Sequence, residues 1–454
     1  MAALGVGMTG RFLLDWAMLA VSLANTILLL WLGFTVTLNA QRRTWGAWVA
    51  SGGLLVAGLF FASHTAVLSL GADIALARLD LWWNAAWVSV ILLPFSWYLV
   101  ILWYTGFWEF RQASLFRRQR FPFALVSVLG FALLISLFLP QAYPLLFLGY
   151  PLYIIANISL ALDALRRPGP TGRVMGDIAR RRARPWLVAT SIGLLVVGLL
   201  VAWVMLWLAQ YLPPIFPSAD QLVILSLYDL LIAVVISAAV LALGQAIVAY
   251  EIFTGKALPR RGFLRQWRRV IMLAAGYGLA LGFTWVAGLN PIYSLLLTTF
   301  LMTVFFSLLS WRSYTERERY IDNLRPFIAS QGLLDQLLTR QTVPSPLHEL
   351  DASFDALCRS VLGVKRAYLV ATGPLAPLVG SPLIYPSREK PELAPLAPVS
   401  SQFDSPEPKC IPVDAGQYGG ASWAVGLWNE RGMVGLLLLG EKYDGGLFTQ
   451  EEIE

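Results

Sequence analysis

Residues 222–250 read LVILSLYDLLIAVVISAAVLALGQAIVAY, a largely apolar run with one carboxylate, Asp229, and no lysine or arginine. About 20 consecutive apolar residues suffice for a helix to cross the hydrocarbon core of a bilayer, so this stretch predicts a membrane-spanning helix. Hydrophobic residues make up 57% of the 454 residues and charged residues only 13%. Soluble globular domains rarely combine such values. The sequence therefore predicts an α-helical membrane protein with several spans.

Eight further stretches share this length and composition. The nine predicted spans are Phe12–Leu38, Trp45–Leu70, Leu81–Trp103, Phe121–Leu139, Pro144–Leu165, Trp186–Leu212, Leu222–Tyr250, Val270–Leu289 and Pro291–Trp311. Lysine and arginine concentrate in the loops after the first, third, fifth and seventh spans. In the loops after the second, fourth, sixth and eighth spans, Arg78 is the only basic residue. Because cytoplasmic loops carry the excess of Lys and Arg, we expect the N-terminus outside and the chain after Trp311 in the cytoplasm.

Cysteine and histidine are scarce. The only cysteines are Cys358 and Cys410, and the only histidines are His64 and His348. Both cysteines fall in the expected cytoplasmic part, where reducing conditions disfavour a structural disulfide. Two histidines argue against a multi-histidine metal or haem site, so no metal and no cofactor is predicted. The net charge of +7 reflects the arginines that set the topology, and no nucleic-acid partner is expected.

We divide the chain into a transmembrane domain at 1–311, a linker at 312–343 and a small cytoplasmic domain at 344–454. Apolar residues of the linker approximate a helical stripe: Ile321, Leu324, Ile328, Leu334 and Leu337. Pro326 is expected to kink this helix. We hypothesise a signalling helix that pairs with its twin in a homodimer. A solvated amphipathic connector is the alternative.

The cytoplasmic domain has an α+β pattern. Apolar residues between Leu347 and Val361 follow a spacing of three and four, which predicts a helix with one buried face. Residues 366–372 are typical of a buried strand, and the proline-rich stretch 374–408 predicts a loop. Trp423–Leu427 and Met433–Leu439 predict a hairpin. Thr449 and Glu452 form a capping box, which predicts the start of a helix. Because one turn of helix is unstable alone, we expect a longer protein, although a frayed natural terminus is the alternative.

This order of elements, with AVGLWNERGMVGLLLLGEKYDGGLFTQEEIE at residues 424–454, resembles a GAF domain. In that family a strand of the form gxxvGxLxLG and a turn lead into a helix that begins fTxeDxe. The matching residues here are Gly432, Val434, Gly435, Leu437, Leu439, Gly440, Phe448, Thr449 and Glu452. The resemblance implies a GAF-like domain over 344–454, interrupted before its last helix.

The membrane part also resembles a known family. Residues 75–108 are similar to the third-span region of the seven-helix N-terminal sensor domains of bacterial histidine kinases, at Pro94, Trp97 and the run Tyr104-Thr105-Gly106. Residues 244–256 resemble the exit of a later span in that domain. The order of membrane sensor, signalling helix and GAF domain then implies the front of a sensor histidine kinase in a bacterial plasma membrane. The kinase domain is absent from this chain, so a response regulator is a partner only if one follows.

Four polar side chains within the spans fall at similar depth toward the expected outer side: Asp15, His64, Asn84 and Asp229. Ionisable groups are costly inside a bilayer and are functional by default. We hypothesise that they form a sensory pocket with Trp87 as part of its apolar wall, and that a carboxylate beside His64 makes the site sensitive to pH. The alternative is a set of separate interfacial residues, each bonded to water or backbone.

Two function classes remain from the sequence. The first is a receptor that detects a cue at the membrane and passes helix displacement to the GAF-like domain and to an output module. The second is a membrane transporter or membrane enzyme with a GAF-like regulatory tail. The HEL triplet at His348 is followed by Asp351-Ala352-Ser353, which is not a phosphoacceptor box, and no glycine-rich ATP lid follows. No catalytic residue is therefore predicted, and whether an intact protein is an enzyme stays open.

Overall fold

The computed structural model describes most of the helical part of the chain and much of its C-terminal part. The described residues are 9–39, 45–70, 79–108, 114–137, 143–168, 177–211, 219–250, 261–289, 292, 295–301, 303–304, 351, 354–372, 376, 381–386, 393–403, 410–429, 432–443 and 448. The chain divides into two compact units, a helical unit of 1–256 with 262–307 and a C-terminal unit of 257–261 with 308–454. The predicted signalling helix and capping box lie outside the described residues.

The helical unit is built from long helices. Eight are described: α1 (Phe12–Asn39), α2 (Trp45–Leu70), α3 (Leu79–Tyr104), α4 (Ser114–Ser136), α5 (Tyr143–Arg166), α6 (Asp177–Tyr211), α7 (Ala219–Tyr250) and α8 (Arg261–Val286). Within the described residues, 7 helices are long and apolar enough to cross a membrane, and they are α1–α4 and α6–α8. These seven helices coincide with seven of the nine predicted spans. The fifth predicted span forms α5 but is not among the seven, and the ninth lies mostly outside the described residues.

Small residues let α8 approach α1 closely. A Cβ added to Gly278 would lie 2.3 Å from the carbonyl oxygen of Ala20, and one added to Gly282 would lie 3.2 Å from the Ala20 nitrogen. The indole nitrogen of Trp16 donates to the carbonyl of Leu279 at 2.8 Å. Two glycines four residues apart on one helix face are a common means of backbone contact between membrane helices. The α1 and α8 backbones therefore approach each other closely at Ala20 and Gly278.

A second set of contacts joins α3, α4 and α5 through polar side chains. The hydroxyl of Tyr98 donates to Oε1 of Gln119 at 2.7 Å, and Nε2 of Gln119 donates to Oδ2 of Asp163 at 2.6 Å. The Arg118 guanidinium also approaches this carboxylate, with Nε at 2.9 Å from Oδ2. Buried polar groups normally find such partners. The network fixes these three helices near the C-terminal end of α5.

The C-terminal unit contains a five-stranded antiparallel sheet. Its strands are β1 (Ala367–Ala371), β2 (Leu383–Tyr385), β3 (Cys410–Pro412), β4 (Trp423–Asn429) and β5 (Gly432–Leu439), in the spatial order β2-β1-β5-β4-β3. The predicted strand and hairpin are confirmed as β1 and as the β4–β5 pair. Tyr368 and Leu438 are directly opposite each other and lie in the core on one face. Trp423 and Leu439, opposite each other on the other face, are also buried.

The prediction of a loop over 374–408 is wrong in two places. Strand β2 pairs with β1 through Tyr368 and Ile384, and the short helix α9 (Ala397–Ser400) places Val399 in the core beside Phe403. A strand of three residues and a helix of one turn are too short to produce a hydrophobic period, because a period needs several repeats to be visible.

The predicted helix before β1 is confirmed over the described residues 354–362, but its buried face differs. Phe354 is buried as expected. After it in the sequence, Cys358 and Leu362 are buried, whereas Leu357, which the spacing placed on the buried face, is only half-buried. The reason is that Leu357–Leu362 winds as a π-helix. A π-helical turn bonds to the fifth residue and so shifts the face that a 3.6-residue period would predict.

We expect Gly278→Ala to destabilise the helical unit by about 1–3 kcal/mol, since the added methyl group would overlap the Ala20 carbonyl and force the helices apart. The matched control is Gly52→Ala in α2, where an added Cβ meets nothing within 4 Å. Alanine is the better helix former, so the control is expected to be neutral or stabilising. Thermal unfolding of the purified protein measures both variants. Equal midpoints for the two would contradict the close contact between α1 and α8.

Both cysteines are expected to be unreactive in the folded protein. Burial raises the pKa of Cys358 to about 12, with a further contribution from the Asp355 carboxylate, and burial raises the pKa of Cys410 to about 12. A raised thiol pKa leaves the neutral form dominant at pH 8, and only the thiolate is a strong nucleophile. Alkylation by iodoacetamide at pH 8, followed by mass spectrometry, should be slow until denaturant is added. Rapid labelling of native protein would show that these thiols are accessible.

Candidate functional site in the helical unit

An ion pair connects α2 to α7 inside the helical unit. Nε2 of His64 lies 3.1 Å from Oδ1 of Asp229, and the side chains are 19% and 36% exposed. Since a carboxylate oxygen accepts, Nε2 carries the shared hydrogen. The second carboxylate oxygen of Asp229 is buried and has no hydrogen-bond partner within the described part of the chain. Oδ2 of Asp229 therefore remains an acceptor without a donor among the described residues.

The other ring nitrogen of His64 contacts α1. Its Nδ1 lies 3.0 Å from Oγ of Ser22, which in turn lies 2.8 Å from Oγ1 of Thr65. Thr65 donates to the carbonyl of Phe61 at 2.8 Å. The Ser22 hydroxyl can donate to a neutral imidazole, or it can accept from an imidazolium and donate to Thr65. This network therefore satisfies His64 in both protonation states by rotation of one hydroxyl.

The ion pair borders a cavity of about 470 Å³. Six helices line it, namely α1, α2, α3, α5, α6 and α7, while the described residues of α4 and α8 contribute none. Along α2 the lining runs from Ala50 to Val67, and along α7 it runs from Asp229 to Leu243. His64 and Asp229 occur near one end of these two stretches. The cavity is therefore elongated along the helices, with its charged groups toward one end.

Aromatic side chains surround the charged end. The ring of Phe60 stacks on His64 with centroids 5.9 Å apart, and Phe61 meets it edge-on at 6.3 Å. Trp87 of α3 and Tyr150 of α5 also line the cavity, and their rings are in edge contact at 6.1 Å. These rings keep the surroundings of the ion pair apolar, where a Coulomb interaction is stronger than in water.

The structure brings together three of the five side chains predicted for a sensory pocket. His64, Trp87 and Asp229 all line the cavity. Asp15 does not line it; its Oδ1 accepts from the backbone nitrogen of Thr9 at 3.1 Å and from the Thr9 hydroxyl at 2.8 Å. Asn84 lies within α3, and its side chain is outside the described residues. The carboxylate that was predicted beside His64 is therefore that of Asp229.

Sequence reasoning missed Ser22 and Tyr150. A serine within an apolar span gives no distinct signal, because its hydroxyl usually bonds to a carbonyl of its own helix. Ser22 could have been found only by its position two turns after Asp15 on the same helix. Tyr150 falls in a span rich in other aromatic and aliphatic residues, and nothing in its spacing separates it from them.

The arrangement suits the binding of a small molecule. Among the described residues no group of three or more His, Cys, Asp or Glu side chains could hold a metal ion. The site offers one acid–base pair, a hydroxyl relay and a long apolar wall. Such a cavity with few polar groups at one place is the usual form of a small-molecule site.

Removal of His64 alone should cost more stability than removal of the whole pair. In His64→Leu the Asp229 carboxyl loses its partner in apolar surroundings, whereas His64→Leu with Asp229→Leu leaves no polar group to compensate. We therefore expect the double variant to recover most of the unfolding midpoint lost by the single variant. Thermal unfolding of both variants and of Asp229→Leu completes the cycle. Additive losses would show that the pair is not coupled.

Comparisons of the chain with protein-family models, with curated proteins and with solved structures return no match.

Proposed function

We propose that this chain is the signal-sensing part of a membrane receptor, with its sensory site in the helical unit. The observation that carries the proposal is the cavity, since six helices meet around it and it has an ion pair at one end. A ligand in such a cavity contacts several helices at once, so its binding can favour one arrangement of them over another. The cue enters at the cavity, and the helices carry the response.

The C-terminal unit is proposed to be a GAF-like domain that receives this response. Support comes from the order of its elements, a helix, β1, an intervening segment and the β4–β5 hairpin. The backbone also explains why a glycine stands at the start of β5, because Gly432 has a φ of 124°. A residue with a side chain rarely adopts this conformation. We propose that residues 312–343 connect the two units as a signalling helix in a homodimer.

The proposal extends to the cellular context. We propose a multi-pass protein of a bacterial plasma membrane with its N-terminus outside and its C-terminal unit in the cytoplasm, as the arginine distribution favours. The output is proposed to be that of a two-component system, through a histidine kinase module beyond this chain and a response regulator. A transporter or membrane enzyme with a regulatory C-terminal unit is the competing class. For that class, filling the cavity blocks transport or turnover and leaves the C-terminal unit unchanged.

A cavity-filling variant tests the receptor proposal without knowledge of the ligand. Ala57 of α2 lines the cavity, and Ala57→Trp should mimic occupancy by filling it. The readout is amide hydrogen exchange of β4 and β5 in the C-terminal unit, for the full chain in lipid nanodiscs. We expect the variant to alter their protection, because a receptor couples the two units by a free energy that typically amounts to a 5–150-fold effect.

The matched control is Ala124→Trp in α4, at an exposed alanine that does not line the cavity. It adds the same side chain to a helix of the same unit and should leave exchange in β4 and β5 unchanged. If both variants fold and neither alters exchange in the C-terminal unit, the receptor proposal fails and the transporter class is favoured.

A further inference from the structure

We infer that the cavity binds a single-chain amphiphile whose head group donates a hydrogen bond and is not anionic. The tail would lie along the helices, and the head would meet Asp229 at the charged end. This inference rests on the proposed function in that it names the ligand class of the same site. Its argument depends on the shape, the wall and the charged end of the cavity.

The shape fits one extended chain. The lining along α7 covers the 14 steps from Asp229 to Leu243, which corresponds to about 21 Å of helix. This length exceeds half of the roughly 30 Å hydrocarbon core of a bilayer. A volume of about 470 Å³ over that length gives a mean cross-section of about 22 Å². The cavity is therefore long and about one hydrocarbon chain wide, which favours an unbranched tail over a compact ring system.

The wall along the tail offers little to a polar ligand. Of its hydroxyl groups, that of Ser96 donates to the Leu92 carbonyl at 2.8 Å and that of Thr190 donates to the Trp186 carbonyl at 2.9 Å. The indole nitrogen of Trp97 donates to Oγ of Ser191 at 3.1 Å. These groups are already engaged, so a ligand with polar atoms along its length would lose its hydration without compensation. An apolar tail avoids that cost.

The charged end selects a donor. Oδ2 of Asp229 is buried and, within the described residues, has no hydrogen-bond partner. An ionised carboxylate can only accept, so a hydroxyl or an amine would satisfy it. A buried acceptor without a partner is unfavourable, and a ligand that supplies the missing donor gains that energy on binding.

The same end disfavours an anionic head. Nε2 of His64 is committed to Oδ1 of Asp229, and Nδ1 faces the Ser22 hydroxyl. A carboxylate or phosphate head would therefore meet the free oxygen of Asp229 and no unoccupied ring N–H. Like charges in surroundings of low dielectric repel strongly. Anionic carboxylate and phosphate heads are disfavoured on this ground, while alcohols and amines share the required chemistry.

The test is photo-crosslinking of the full chain in nanodiscs with a long-chain alcohol that carries a diazirine in mid-chain. We expect saturable labelling of cavity residues such as Val90, Leu93 and Ile236. Unlabelled 1-hexadecanol or hexadecylamine should compete, and hexadecanoate should not. The relative strength of the first two competitors distinguishes a neutral from a cationic head. Labelling of the exposed Val128 of α4 reports contact with bulk lipid and should not saturate.

Two leucine substitutions on α7 provide the matched variants. Asp229→Leu should weaken labelling of the cavity by about tenfold, the effect of losing a hydrogen bond to a charged group. Asp220→Leu removes a carboxylate from the exposed start of the same helix and should leave labelling unchanged. The inference is overturned if labelling occurs only at lipid-facing positions, if hexadecanoate competes as well as the alcohol, or if both variants behave alike.

Failure of the inference and failure of the proposed function give different results. Saturable labelling of the cavity, with exchange in β4 and β5 unaffected by Ala57→Trp, would retain the amphiphile site and reject the receptor. Altered exchange in β4 and β5 without saturable labelling would retain the receptor and reject this ligand class. Saturable labelling of the wild-type chain, with its pattern of competitors, decides the ligand class even where a variant does not fold.

Discussion

The helical unit depends on one constraint, which is that polar groups in an apolar environment must find partners within the protein. A helix satisfies its backbone internally, and this favours helices wherever long apolar runs occur. Hydroxyl side chains follow the same rule, since Thr37, Ser63 and Thr65 each donate to a carbonyl four residues earlier in their own helix. Most polar atoms are thereby removed from contact between helices. Packing of apolar surfaces and glycines then determines how the helices fit together.

Against this background the contact between His64 and Asp229 differs from most others in the bundle. It joins two helices through charged groups, and its second carboxylate oxygen is left without a hydrogen-bond partner in the part of the chain that is described. An arrangement built only for stability would satisfy that atom or replace the pair by apolar side chains. Unsatisfied buried groups in native structures ask for an explanation, and a binding role is the one that the neighbouring cavity supports.

The sequence was most informative where a signal repeats. Long apolar runs predicted seven helices that the structure confirms, and the glycine-bracketed run at Met433–Leu439 predicted β5 within one residue. Short elements gave no signal, and β2 was missed inside a proline-rich stretch for that reason. Depth within a span can be counted along the sequence, which brought His64 and Asp229 together correctly. The same count failed for Asp15, which lies seven residues, about 10 Å of helix, before Ser22 in α1 and does not line the cavity.

The close contact of Gly278 with Ala20 has a mechanical consequence. Side chains between two helices act as a compliant layer, because rotamers can change while the backbones shift. No such layer separates α1 from α8 at this point, where even one added carbon would lie 2.3 Å from a carbonyl oxygen. A displacement of α1 toward α8 at this point therefore cannot be absorbed by a change of rotamer. The helix that carries Ser22 therefore meets α8 backbone to backbone at Gly278.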